Sequence, residues 1–164
     1  MEKSFLTPPE IAKAWINIGV KKTNLETSKM LLLGILAGMF IGFGAHADII
    51  VIQTLGKNID IGLVKFLGAA VFPVGLMLVI MAGAELFTGN NLISLAVMDK
   101  KTTTGKMIKN WIVVYIGNFI GSIILALLLY KSGLYTSEAV AIKAIGIAES
   151  KCSLTFTQAI IRGV

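Results

Sequence analysis

Apolar residues fill three long blocks of this chain, and short polar stretches separate the blocks. The first covers about 30–54, the second opens near 62 and stays apolar to 97, and the third runs from 107 or 111 to 130. About 20 residues rising 1.5 Å each cross the hydrocarbon core of a bilayer, so each block predicts a membrane span. The second block is too long for one span. Its middle, Ala82-Gly83-Ala84-Glu85-Leu86-Phe87-Thr88-Gly89-Asn90, holds a carboxylate, a hydroxyl and two glycines. Non-helical backbone at membrane depth is tolerated only where protein buries it or a wet cavity borders it. The pattern therefore predicts a span broken by a loop near the midplane, as at channel and transporter sites. A short cytoplasmic turn between two helices is the plainer alternative.

The flanking segments carry their own signals. Thr7, Pro8 and Glu10 open a helix as cap, first helical residue and capping-box partner. Ile11, Ala14, Trp15 and Ile18 then share a face, with Lys13, Lys21 and Lys22 outside it. Such a helix lies either in the headgroup plane or against the protein's own inner surface. In the first span Gly34, Gly38 and Gly42 recur every four residues, and Gly117 and Gly121 form a second small-residue pair in the third. Small residues at that spacing let membrane helices approach closely. Pro73 predicts a bend in the second span, and Asn90 or Asn91 is placed to cap a half-helix ending near 98. The amides of that half-helix would face the interior and attract anions. Trp111 and Tyr130 read as interfacial aromatics of the third span. Residues 132–153 are polar with a helical piece near 138–148, and 155–164 begin an apolar helix too short to cross.

Composition fixes the class. Mean hydropathy is +0.83, and 55% of the 164 residues are apolar, which marks an integral membrane protein. A net charge of +6 points to nucleic acid only in a soluble chain. Here the lysines lie between apolar runs, where positive-inside sorting accounts for them, so no nucleic-acid partner is expected. Lys3, Lys13, Lys21, Lys22 and Lys29 before the first span, and Lys100, Lys101, Lys106 and Lys109 after the second, place both segments in the cytoplasm. The division is then a cytoplasmic segment over 1–29 and a membrane domain over 30–164. Ala45-His46-Ala47 imitates a signal cleavage site, but the run before it follows a charged helix and reads as a retained span. His46 beside Asp48 admits a proton relay, although a histidine at that level is more often structural or solvated. The single Cys152 makes neither an internal disulfide nor, with His46, a metal set. The Gly105-Lys106 pair lacks the rest of a phosphate loop. No nucleophile–base pair or cofactor motif appears, so neither an enzyme nor a cofactor is expected.

Taken together, these residues resemble the formate–nitrite transporter family, whose members include formate, nitrite and hydrosulfide channels. The resemblance covers essentially the whole chain. It rests on Leu36-Ala37-Gly38-Met39-Phe40-Ile41, on Gly83-Ala84-Glu85-Leu86-Phe87-Thr88-Gly89-Asn90, and on Lys109-Asn110-Trp111 with Val114-Tyr115-Ile116-Gly117-Asn118-Phe119-Ile120-Gly121. Lys151 followed by Thr155-Phe156 also matches. It implies an all-α, aquaporin-like membrane fold: two inverted three-helix repeats, of which this chain carries three spans and the start of a fourth. It implies a homo-pentamer in the cell membrane with a substrate path through each subunit. By position, Leu76 and Leu86 match the inner constriction and Phe72 the outer one. Phe87 and Thr88 complete the pore loop, Thr88 with its hydroxyl toward the pore centre, and Lys151 matches the basic residue of the outer vestibule. The N-terminal amphipathic segment corresponds to the family's gating helix. Family members are longer, and their pore histidine and a second constriction Phe are expected beyond Val164, so the chain reads as part of a transporter.

Chemistry shapes the functional expectation. Carrying a bare anion through Leu and Phe side chains is prohibitive unless its charge is removed or matched. A weak acid gathered by Lys151 crosses the apolar constriction after taking a proton, with Thr88 able to donate and accept. Glu85 would repel anions and is expected, as an acceptor for loop amides, to support the broken helix with Asn90. The expected function is a passive or proton-coupled channel for formate, nitrite or hydrosulfide. The alternative is a non-transporting scaffold subunit that binds a partner through its glycine faces.

Overall fold

The computed structural model describes residues 5–57 and 59–163; Lys3 lies outside them. Helix α1 (Pro8–Thr23) leads into α2 (Thr27–Ile52), which begins at Thr27 rather than near 30. After a 3-10 turn at Leu55–Lys57 come α3 (Ile61–Val71), α4 (Val74–Ala82), the one-turn α5 (Phe87–Asn90) and α6 (Ile93–Met98). Helix α7 (Thr104–Lys131), α8 (Glu138–Cys152) and α9 (Phe156–Gly163) complete the described chain.

Among the described residues three segments are long and apolar enough to cross a bilayer: α2, the α3–α4 pair over Ile61–Ala82, and α7. The protein is a multi-pass membrane protein. Its helices survive in lipid because each satisfies its own peptide groups. Asp60 starts α3 by accepting the amides of Gly62 and Leu63, and Thr103 starts α7 by accepting that of Lys106. Pro73 bends the second span as expected. The α-helix stops at Val71 and resumes at Val74, and the Phe72 carbonyl takes the amide of Gly75 at 3.1 Å across the kink.

The core is the crossing of α2 and α7, and glycine makes it possible. A Cβ added at Gly34 would stand 3.3 Å from the Cα of Gly117. One added at Gly38 would collide with the carbonyl of Asn118, and one at Gly121 with the carbonyl of Ile35. Gly42 faces only the Leu125 side chain, at 2.6 Å. The kinked span packs on another face of α2, where a Cβ at Gly44 would meet the Phe72 carbonyl at 2.5 Å.

Helix α1 opens as expected, with the Glu10 carboxylate accepting both the amide and the hydroxyl of Thr7 at 2.7 Å. It lies against the protein's own surface, on α6. Its buried stripe runs through Gly19 and Thr23, while Ile11 and Ile18 remain exposed. The apolar face read from the sequence is therefore split, with Ala14 and Trp15 half-buried and the two isoleucines outside the contact. Close approach decides this, since a Cβ at Gly19 would stand 3.0 Å from that of Ala96.

Candidate functional site

The second span ends where Gly83 takes a left-handed conformation, φ +65°, which costs glycine little and a side-chain-bearing residue more. The amides of Gly83 and Ala84 close back onto Ile80 and Val79 as a helix stop. Backbone 84–86 then runs without helix until α5 restarts from Leu86, φ −109°, ψ 127°. A break in lipid frees peptide groups that must find partners. The Glu85 amide donates to the Leu33 carbonyl at 3.2 Å. The Glu85 carbonyl accepts from Asn118 Nδ2 at 2.9 Å, and the Phe87 amide donates to Asn118 Oδ1 at 2.9 Å. Asn118 Nδ2 also reaches the Gly34 carbonyl at 2.8 Å.

The side chains beneath the break form a second network. Glu85 is buried and accepts from Lys22 Nζ of α1 at 2.8 Å and from Asn90 Nδ2 at 2.7 Å. Asn90 Nδ2 also donates to Asn110 Oδ1 at 2.8 Å, and Asn110 Nδ2 donates to the Lys22 carbonyl at 3.3 Å. Trp111 Nε1 donates to the Asn90 carbonyl at 2.9 Å. One carboxylate thus joins α1 to the break, and α7 closes the loop with two asparagines and an indole.

Sequence expectations at the break change. Neither Asn90 nor Asn91 caps the half-helix: Asn90 is buried inside α5, and α6 starts from Leu92 without a side-chain cap. At the start of that half-helix the Leu92 and Ser94 amides donate to the Gly89 and Asn91 carbonyls. Trp111, half-buried near the start of α7, is also a donor to the break. Glu85 takes side-chain donors rather than the loop amides, which go to Asn118 and Leu33.

The pore-lining candidates divide by environment. Thr88 is exposed at the tip of the break, and Phe72 and Leu76 are exposed on the kinked span. Leu86 packs on the cluster of Ala37, Val79 and Ala84. The Phe87 ring stands edge-on to Trp111 and Tyr115, with centroids 6.2 and 5.4 Å away. Lys151 is exposed in the last turn of α8, beyond the end of α7 opposite to α1.

His46 sits apart from these residues. Its Nδ1 lies 3.1 Å from the Tyr135 hydroxyl, whose pKa burial raises above the ordinary tyrosine value. The pair borders a cavity of about 410 Å³ between α2, α7 and α8 that no residue of the break lines. Asp48 turns the other way, its carboxylate against Gly68 of α3. Among the described residues no group of acidic, His or Cys side chains is arranged to hold a metal.

Sequence reasoning missed Lys22, Asn110 and Asn118 as parts of the site. The two asparagines left a signal, because Asn110, Val114 and Asn118 make a stripe with helical spacing through an apolar span. An amide on such a stripe needs a partner.

The chain is similar to known proteins. A family profile described as formate/nitrite transporter matches residues 9–164. The uncharacterized transporter YrhG of Bacillus subtilis is 39% identical over 98% of this chain, and the formate channel BtFdhC of Bacillus thuringiensis is 38% identical over 98%. The chain spans 61% and 62% of the lengths of those two relatives. A solved pentameric formate channel with formate bound superposes with a TM-score of 0.69 at 31% identity. That match covers 80% of this chain and 52% of that structure.

Proposed function

Since the chain belongs to the formate/nitrite transporter family, we propose that the complete protein is a channel for small monovalent weak-acid anions, passive or proton-coupled. Formate leads among the substrates because two of the three relatives named above are formate channels; nitrite and hydrosulfide share its charge and weak acidity. The observation that carries the reading is the break itself. The backbone groups of Glu85 and Phe87 are satisfied from inside the protein, while the Thr88 hydroxyl stands exposed and makes no hydrogen bond to another described residue.

In this reading Lys151 gathers the anion in the outer vestibule. The anion then meets the constriction of Phe72, Leu76, Leu86 and Phe87, where dehydrating a full charge is prohibitive. A weak acid passes by taking a proton or by hydrogen-bonding strongly to a donor, and the Thr88 hydroxyl supplies one such contact. Glu85 stays outside the path, its charge matched by Lys22. The subunit assembles as a homo-pentamer, as the solved channel does. Thr23 Oγ1 meets Thr102 Oγ1 at 2.9 Å, and Lys106 Nζ donates to Asn24 at 2.7 Å. These contacts gather the described lysine-rich segments at one end of the spans, which fits an inner-membrane protein with its N-terminus in the cytoplasm. The scaffold alternative loses support, because the glycine faces it would offer a partner are already occupied by α2 and α7 themselves.

The test is anion flux into proteoliposomes carrying the complete protein. Formate entry well above that of protein-free liposomes is expected, and equal leak would overturn the reading. Thr88→Val keeps the side-chain shape and removes the hydroxyl. It should slow formate flux about tenfold, the worth of one hydrogen bond of about 1.4 kcal/mol in the transition state, with pentamer yield unchanged. Unaltered flux would remove Thr88 from the path. Lys151→Glu should weaken uptake at low ionic strength and matter less as salt screens the vestibule. Salt-independent, wild-type uptake would remove Lys151 from it.

A further inference from the structure

We infer that Asn118 is the positioning residue of the permeation path: its one amide holds the peptide groups on both sides of Leu86 and so sets which anions the constriction passes. The inference rests on the proposed channel function and deepens it. Asn118 lies midway along α7, an apolar span where an unpaired amide is costly. It spends both kinds of hydrogen-bonding capacity. Nδ2 donates to the Glu85 carbonyl at 2.9 Å and to the Gly34 carbonyl at 2.8 Å, and Oδ1 accepts the Phe87 amide at 2.9 Å.

The Glu85 carbonyl belongs to the peptide entering Leu86, and the Phe87 amide to the peptide leaving it. Holding both fixes the extended backbone at Leu86 and the start of the turn that presents Thr88. The bond to Gly34 ties the same amide to α2. Its place is set in turn by the glycine crossing, where Gly38 meets the carbonyl of Asn118 itself. Donor and acceptor must act together, which selects an amide. Leucine supplies neither, and an ionised aspartate only accepts. Asn118 does not line the path in this account; it acts through Leu86 and Thr88.

The experiment compares formate with the larger acetate in proteoliposomes carrying the complete protein, alongside hydrogen exchange at the Phe87 amide. Asn118→Leu should raise the acetate-to-formate flux ratio about tenfold and speed Phe87 exchange. Asn118→Asp, with flux normalised to wild type at each pH, should discriminate poorly near neutral pH. It should regain selectivity as the pH falls, because a protonated carboxyl donates to the Glu85 carbonyl while accepting from Phe87. A side chain that only filled space would give no such titration. Wild-type selectivity and wild-type Phe87 exchange in both variants would overturn the inference. Should Asn118→Leu fail to assemble, the aspartate titration decides. If wild type moves neither anion above leak, the channel function fails, whereas Phe87 exchange still judges the grip on the break.

Discussion

Replacing Lys22 by methionine is expected to destabilise the protein by about 3 kcal/mol or more, the loss that follows when one partner leaves a buried ion pair. The Lys22 side chain is 19% exposed and that of Glu85 5%, with nitrogen and oxygen 2.8 Å apart. Without the lysine, Glu85 keeps a hydrogen bond from Asn90 but no countercharge. The reverse change, Glu85→Gln, should cost less, about 1–2 kcal/mol, because the long Lys22 side chain can carry its ammonium out to water. The double variant should recover much of the loss, since neither member leaves a charge buried alone. Thermal unfolding of the four proteins in one detergent checks this, with a coupling between the two sites as the signature. Additive losses would mean that α1 and the break are energetically independent.

The second large effect is expected at the α2–α7 crossing. Gly121→Ala drives a methyl group into the Ile35 backbone and Gly38→Ala drives one into that of Asn118. Backbone does not swing aside as a side chain does, so the helices must separate, at about 3 kcal/mol or more each. Separation also draws Asn118 from the break. Gly42→Ala meets only the Leu125 side chain and should cost about 1 kcal/mol. Gly146→Ala, in open space on α8, should be neutral or stabilising by up to about 1 kcal/mol from helix propensity. Melting temperatures in this order support the close crossing, whereas equal losses at all four glycines would contradict it.

The spans, the Pro73 kink and the broken second span were legible in the sequence because each follows from local chemistry. Length and hydropathy set the spans, and polar residues inside an apolar run marked the break. The repeated glycines announced close packing, but which faces met was a tertiary fact. Gly34 and Gly38 pair with α7 at Gly117 and Asn118, whereas Gly42 falls against a movable leucine. Lys22 reads on a helical wheel as one more interfacial lysine, since nothing local points to a carboxylate 63 positions away. The second role of Trp111 was hidden for a related reason. An indole near the end of a span reads as a headgroup anchor, and only the nearby Asn90 carbonyl shows that it also donates. Asn90 looked like a cap because asparagine favours that position, yet the buried carboxylate and amide around it offered better partners.

The central claim is that the interrupted span exposes Thr88 to water at mid-membrane. Thr88→Cys, in a Cys152→Ser background of the complete protein, tests it most directly with a membrane-impermeant thiol reagent, because only a hydrated thiol forms the reactive thiolate readily. The account predicts that the introduced thiol is modified and that formate slows its modification. A thiol there that resists the impermeant reagent and reacts only with a lipid-soluble one would contradict it.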